Sequence, residues 1–278
     1  MSHDLQQVII LGVAGNFAGH LEQAVKNIDF DVVQAGDPNA PKGIFPVYVP
    51  AQTGHVLETF PVSSKELILP FGDANLKIEP ELALLCRLVY DKDKVVDVIP
   101  EQFTAYNDCS VYNKDVIKIS EKKNWGIASK GVAANYTPID VFGENGVLNR
   151  YRLACYLLRD GKLHTYGVES PVREYSYFYA TLIDWLVEKL NSQQDIGPFE
   201  SISTCLKESG FPTYALIGVG STRYTDFGES TYLNVGDDSI VVLYDGDIYD
   251  TSEVEQRLLD GQDTGPGLCV LRQRVNYK

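Results

Sequence analysis

Two apolar runs, Tyr151 to Leu158 and Lys162 to Val168, meet across Asp160-Gly161. That dipeptide tolerates the positive backbone angles of a two-residue turn between antiparallel strands, so the stretch reads as a β-hairpin. A second hairpin turn is read at Asp91-Lys92-Asp93-Lys94, between a strand-like run from Leu76 to Tyr90 and Val95-Val96-Asp97-Val98-Ile99. Val8 to Leu11, Leu67 to Pro70, Tyr214 to Val219 and Ser239 to Tyr244 add further strands, the last closing at Asp245-Gly246. Helical spacing is clearest from Phe178 to Leu190, where Leu182, Trp185, Leu186 and Lys189 follow it and Leu186 and Leu190 continue the apolar side. A second helix is expected from Ile202 to Glu208, stopping at Gly210. Residues 36–54 are rich in Gly, Pro and Asn and read as loop. Strands predominate and do not alternate regularly with helices, which argues against a doubly wound parallel sheet and for a strand-rich α+β fold. A length of 278 residues is compatible with one undivided sheet-rich domain.

Charge narrows the function. Lys plus Arg number 24 against 38 Asp plus Glu, a formal net charge of -14. A surface this acidic repels phosphate backbones and anionic membranes, so neither nucleic acid nor a membrane is an expected partner. No apolar stretch is long enough for a membrane-spanning helix. The first residues, Met1 to Gln7, put no basic region ahead of an apolar core, so no secretory signal is read. Cys86, Cys109, Cys155, Cys205 and Cys269 are odd in number and far apart, with no zinc or redox spacing. They read as reduced, mostly buried thiols of a cytoplasmic protein.

Four short segments carry groups with chemistry. In Glu79-Pro80-Glu81 the two glutamates are two residues apart, and in a strand such residues face the same side. Two carboxylates aimed at one place repel unless a cation or water separates them, and a hard divalent ion prefers oxygen ligands. Solvated glutamates on an exposed strand face are the plainer alternative. Pro80 lacks a backbone donor, which places the start of that strand at a sheet edge. Asp108, in Tyr106-Asn107-Asp108-Cys109-Ser110, is a third possible ligand or else a turn residue. Lys130, in Ala128-Ser129-Lys130-Gly131 ahead of Tyr136-Thr137-Pro138, can neutralise developing negative charge near a metal-bound anion. His20, followed by Glu22 and Gln23, opens an expected helix through Val25 and is a possible general base. The preceding Gly12, Gly15 and Gly19 miss the GxGxxG spacing of a dinucleotide site.

In this order the segments resemble the fumarylacetoacetate hydrolase superfamily. Gly15-Asn16-Phe17-Ala18-Gly19-His20 looks like its G-R-N-Y-x-x-H segment, and Glu79-Pro80-Glu81-Leu82-Ala83 like its E-x-E-L-A motif. Asn107-Asp108-Cys109-Ser110 looks like N-D-x-S, and Lys130 matches the active-site lysine. Gly218-Val219-Gly220 and Leu233 to Asp237 look like the G-V-G and L-x-x-G-D segments. The resemblance implies a rolled, mixed β-sheet (a β-barrel-like roll) with a few flanking helices, usually in a homodimer. It implies a single catalytic domain over residues 1–278, with 1–65 carrying the His20 loop and 66–278 forming the main roll. It also implies Mg²⁺ or Mn²⁺, with Ca²⁺ an option, held by Glu79, Glu81 and Asp108. His20 with Glu22 would then activate water, Lys130 would stabilise an oxyanion or enolate, and Tyr112, Gly218 and Thr137 would contact a small carboxylate-bearing substrate.

The departures from the pattern are specific. Tyr112 stands where the family has an arginine four residues after the metal aspartate, and Gln23 where it has a glutamate. Glu22 sits one place early, which on a helix is a turn of about 100°. The arginine of the opening motif is absent, and Ala215 replaces the second threonine of a T-G-T-P run. The expected activity is metal-dependent hydrolytic or lytic cleavage of a C–C bond in a small oxo acid, acylpyruvate-like or oxaloacetate-like. Decarboxylation, hydration or isomerisation of oxo acids is the alternative within enzymes. A non-catalytic metal- or ligand-binding protein on the same scaffold is the alternative outside them.

Overall fold

The computed structural model describes residues 4–17, 37–51, 54, 56–72 and 74–277. In chain order the strands are β1 (Ile9–Ala14), β2 (Gly43–Tyr48), β3 (Val62–Ser63), β4 (Glu66–Leu69), β5 (Leu76–Lys77), β6 (Pro80–Asp91), β7 (Lys94–Asn107) and β8 (Ser110–Val111). They continue with β9 (Lys130–Val132), β10 (Thr137–Pro138), β11 (Tyr151–Arg159), β12 (Lys162–Pro171), β13 (Tyr214–Ser221), β14 (Asp238–Asp245), β15 (Thr264–Gly265) and β16 (Leu268–Tyr277). Among the described residues the α-helices are α1 (Tyr179–Ser192), α2 (Ile202–Glu208), α3 (Asp226–Ser230) and α4 (Thr251–Leu259).

The larger sheet runs β2-β1-β13-β6-β7-β9-β3, with β10 also on β7. The second runs β12-β11-β14-β16-β15, with β4 on β16, and β5 pairs with β8 in a small ribbon. Most pairs are antiparallel, but β1–β13, β3–β9 and β4–β16 are parallel. The result is the curled, mixed-sheet α+β fold expected from the sequence. β1 and β2 come from the first 65 residues and complete the larger sheet beside β13.

Both predicted hairpins form. Lys92 (φ 55°) turns β6 into β7, and Asp160 (φ 51°) with Gly161 (φ 76°) turns β11 into β12. α1 buries Leu182, Trp185, Leu186 and Leu190, the stripe its spacing specifies. β6 is covered on both faces. Leu82, Leu84 and Leu88 pack in one cluster with Leu153, Val241 and Leu271 of the second sheet. Ala83 and Leu85 pack in another with Ile10, Phe45 and Leu216. Each fully buried Leu, Ile, Val or Phe side chain among these contributes about 1.5–3 kcal/mol. All five cysteines are buried and none is paired.

Three expectations are corrected. Residues 36–54 contain β2, not only loop; it pairs with β1 at the edge of the larger sheet, where Pro46 opposite Leu11 is tolerated. The run from Leu76 to Tyr90 is two strands, interrupted at Ile78-Glu79. Pro80 does not mark an edge, because β6 lies between β13 and β7. It is the first residue of its strand, where a missing N–H costs the ladder little, and its carbonyl accepts from Thr222 N. No helix among the described residues is long and apolar enough to cross a membrane.

Candidate metal centre

The open end of the β6–β7 hairpin carries the site. Register sets Pro80 opposite Asn107 and Glu81 opposite Tyr106. Asp108 N donates to Glu79 O at 2.9 Å, extending the pairing by one step. Side chains alternate along each chain, so Glu79 and Glu81 share a face with Tyr106 and Asp108. One oxygen from each of Glu79, Glu81 and Asp108 lies within 4.8 Å of the others. The three residues are 6%, 2% and 0% exposed.

Each carboxylate has distinct partners. Glu81 Oε2 accepts from Gly220 N at 3.1 Å. Gly220 (φ 116°) lies in a register shift of β13 that turns this N–H inward. Glu79 Oε1 accepts from the Tyr112 hydroxyl at 3.3 Å, and that hydroxyl lies 2.9 Å from the Tyr224 hydroxyl. Asp108 Oδ1 accepts from the Tyr106 hydroxyl at 3.3 Å, while its buried Oδ2 faces the Lys123 ammonium. Burial, then Asp108, raises Glu81 well above the usual carboxylate range; burial also raises Asp108, against the pull of Lys123 and Lys130.

Two buried lysines close on this group. Lys130, in β9, is fully buried; its ammonium donates to Cys109 O and lies 3.7 Å from Asp108 Oδ1. Burial pushes it down to about 8 although Asp108 pulls the other way. Lys123 follows the short 3-10 helix Ile119–Lys122. Its ammonium sits 2.7 Å from Glu79 Oε2 and 2.5 Å from Asp108 Oδ2. Burial lowers Lys123, but Asp108, Glu79 and Glu81 outweigh it and hold it above the ordinary lysine value. Lys122 is also buried, and burial followed by Lys123 pushes it down to about 8.

Sequence reasoning missed Lys123 and Lys122. Glu121-Lys122-Lys123 has the look of a solvated charge run, and only burial distinguishes it. Of the other residues named from the sequence, Tyr112 touches Glu79, and Gly218 packs so close to Glu81 that an added Cβ would lie 2.4 Å from Oε2. Thr137 is not brought to the group: it pairs with Phe103, five positions along β7 from Asp108 and so roughly 16 Å away. His20, Glu22 and Gln23 lie outside the described residues, as does the helix expected there. Asn16, from the opening motif, is buried and ties the end of β1 to Val219 O and Tyr177 O at 2.9 and 3.0 Å.

The donor set fits a hard divalent cation. Three buried carboxylates each turn an oxygen to one place, and carboxylates this close repel one another unless positive charge lies among them.

The architecture is that of fumarylacetoacetate hydrolase family proteins. A 2-keto-3-deoxyarabinonate dehydratase superposes with a TM-score of 0.57 at 13% identity, over 97% of this chain and 74% of that one. A fumarylacetoacetate hydrolase family protein from Yersinia pestis CO92 gives 0.52 at 12%, over 97% and 94%. The 2-keto-3-deoxy-D-arabinonate dehydratase complexed with magnesium and 2,5-dioxopentanoate gives 0.51 at 12%, over 97% and 73%. At these identities the likeness is one of fold. By sequence, residues 26–275 match the model of a family of unknown function (DUF5718), and the chain belongs to that family. Comparison with curated proteins finds no sequence match. The resemblance read from the motifs thus holds at the level of the fold.

Proposed function

We propose that this chain is a divalent-cation-dependent enzyme acting on a small oxo acid, with Glu79, Glu81 and Asp108 holding Mg²⁺ or Mn²⁺. The observation that carries the reading is the convergence of three buried carboxylates within 4.8 Å, with the Lys130 ammonium 3.7 Å from one of them. A bound cation of this kind supplies Lewis-acid polarisation of a carboxylate and adjacent oxo group.

The chain's own residues do the rest. Tyr112 orients Glu79, and Gly220 N orients Glu81. Lys130 holds a proton on Nζ in an environment that lowers its affinity for it, which suits it to stabilising an enolate or oxyanion and to giving up a proton. Even without Lys123, the positive charges of Lys122 and Lys130 with an added divalent cation outweigh the three carboxylates. That favours an anionic substrate although the chain as a whole carries -14. His20, with Glu22 near it in sequence, is the proposed water-activating base. Thr137 is left out because of its distance. Cleavage of a C–C bond is the leading reaction. Dehydration is the second, favoured by the dehydratases of the same fold, one of them complexed with magnesium and 2,5-dioxopentanoate. A homodimer in the cytoplasm is part of the proposal.

The test is turnover of acylpyruvates, oxaloacetate and 3-deoxy-2-oxo sugar acids with Mg²⁺ or Mn²⁺, for the wild type and Glu81→Ala. We expect activity on at least one compound, abolished by EDTA and lowered at least 100-fold by the substitution, about 2.7 kcal/mol. Turnover indifferent to both sinks the metal reading. Binding of oxo acids by calorimetry without turnover favours a non-catalytic binding protein on the same scaffold, the reading to which Tyr112 in place of arginine points.

A further inference from the structure

The Lys123 ammonium stands between two of the three carboxylates. Its contacts of 2.7 Å to Glu79 Oε2 and 2.5 Å to Asp108 Oδ2 approach the 2.3–2.6 Å at which Ca²⁺ meets oxygen. It also donates to Asp108 O at 3.3 Å. Its backbone is clamped on both sides. Ile119 N donates to Pro198 O at 3.1 Å, and Asn124 Nδ2 donates to Val47 O and Thr59 O, both at 2.9 Å. Lys123 is 3% exposed, so this is not a surface lysine that happens to point inward. Glu81, the third carboxylate, is held instead by Gly220 N.

We infer that Lys123 is a built-in counter-cation of the carboxylate group, which competes with the divalent ion for Glu79 and Asp108 and must withdraw its ammonium when the ion binds. The physical reason is charge. Three buried carboxylates cannot stay ionised side by side without positive charge among them, and Lys123 provides it in the metal-free chain. A divalent ion and an ammonium cannot both lie within 3 Å of the same two oxygens without strong mutual repulsion. The lysine stem is flexible, and the ammonium already lies 5.3 Å from the Phe45 ring centroid, a face that stabilises a cation on withdrawal. Lys123 therefore offsets the carboxylate charge whenever no ion is bound, and part of the ion's binding free energy goes into displacing the lysine.

The inference rests on the metal reading above, and its test separates the two. Mn²⁺ alone is titrated into wild type and Lys123→Met, read by paramagnetic resonance of free Mn²⁺ and by calorimetry. Both proteins are also melted in EDTA and in Mn²⁺. The variant is expected to bind Mn²⁺ at least tenfold more tightly. It is expected to melt below wild type in EDTA and to gain more from Mn²⁺ than wild type does. Equal or weaker Mn²⁺ binding by the variant overturns the role of Lys123 while leaving the metal site standing. Absence of Mn²⁺ binding in both proteins overturns the metal site and the inference together. Lys123→Gln, which keeps hydrogen-bonding capacity without the charge, is measured in parallel. If Lys123→Met does not fold, the same tenfold criterion applies to Lys123→Gln.

Discussion

Glu200 shows how a single buried acid makes stability depend on pH. Its Oε1 accepts from Ser120 Oγ, and its Oε2 is buried without a hydrogen-bond partner. Burial raises it from 4.5 to about 7, with Ser120 and Lys118 pulling the other way. Between those values the folded chain holds a proton that the unfolded chain has lost, so stability falls as pH rises through this window and the penalty stays constant above it. Glu200→Gln removes the penalty. Denaturant melts should show the variant more stable by about 2–3 kcal/mol at pH 8, with no gain at pH 4. A gain of equal size at both pH values would contradict this account. The same contrast between composition and burial explains why Lys123 was not legible: a lysine in a charge run has no local mark that distinguishes a solvated tip from a buried ion pair.

At the scale of elements, the site depends on how closely β13 approaches β6. Gly218 pairs with Ala83, and a Cβ at Gly218 would lie 2.4 Å from Glu81 Oε2 and 2.9 Å from Tyr106 Cε1. Neither neighbour is free to move, because Glu81 is held by Gly220 N and Tyr106 is fully buried. Gly218→Ala should therefore cost about 1–3 kcal/mol and weaken Mn²⁺ binding, checked by thermal melts and by titration. An unchanged melting temperature would mean the strands can part at no cost. The hairpins at Lys92-Asp93 and Asp160-Gly161 were legible because turn chemistry and flanking alternation are local. β2 was not, because Gly43 and Pro46 read as loop residues until pairing with β1 at an edge is known. The break at Ile78-Glu79 was hidden for a related reason: apolar continuity gives no sign of where a ladder changes partner.

Across the whole molecule, Gln273 ties the two large sheets. It sits on β16 of the second sheet, fully buried, and its Oε1 accepts from Asn107 Nδ2 of β7 at 3.0 Å. Its Nε2 donates to Glu66 O at 3.0 Å and to Lys130 O at 3.3 Å. Gly131 leaves room for this side chain, since a Cβ there would lie 2.2 Å from Gln273 Oε1. With both sheets sharing one apolar cluster and this polar link, calorimetry should show one unfolding transition. Gln273→Leu should lower it by about 1–3 kcal/mol without splitting it. Two separate transitions in the wild type would mean that the sheets form independent units.

What the sequence determined was local: the turns, the stripe of α1, the predominance of strand, and the two-residue spacing of Glu79 and Glu81. Backbone periodicity and turn chemistry are written in neighbouring residues, so these features need no knowledge of the rest of the chain. The family motifs extended that reading to Asp108 and Lys130. Tertiary structure alone decided that Glu79 lies across from Asp108, that Gly220 N reaches Glu81, that Thr137 stands apart and that Lys123 fills the space between two acids. Those facts follow from register and from contacts between segments far apart in the chain, whose energies come from burial and long-range charge rather than from any local pattern.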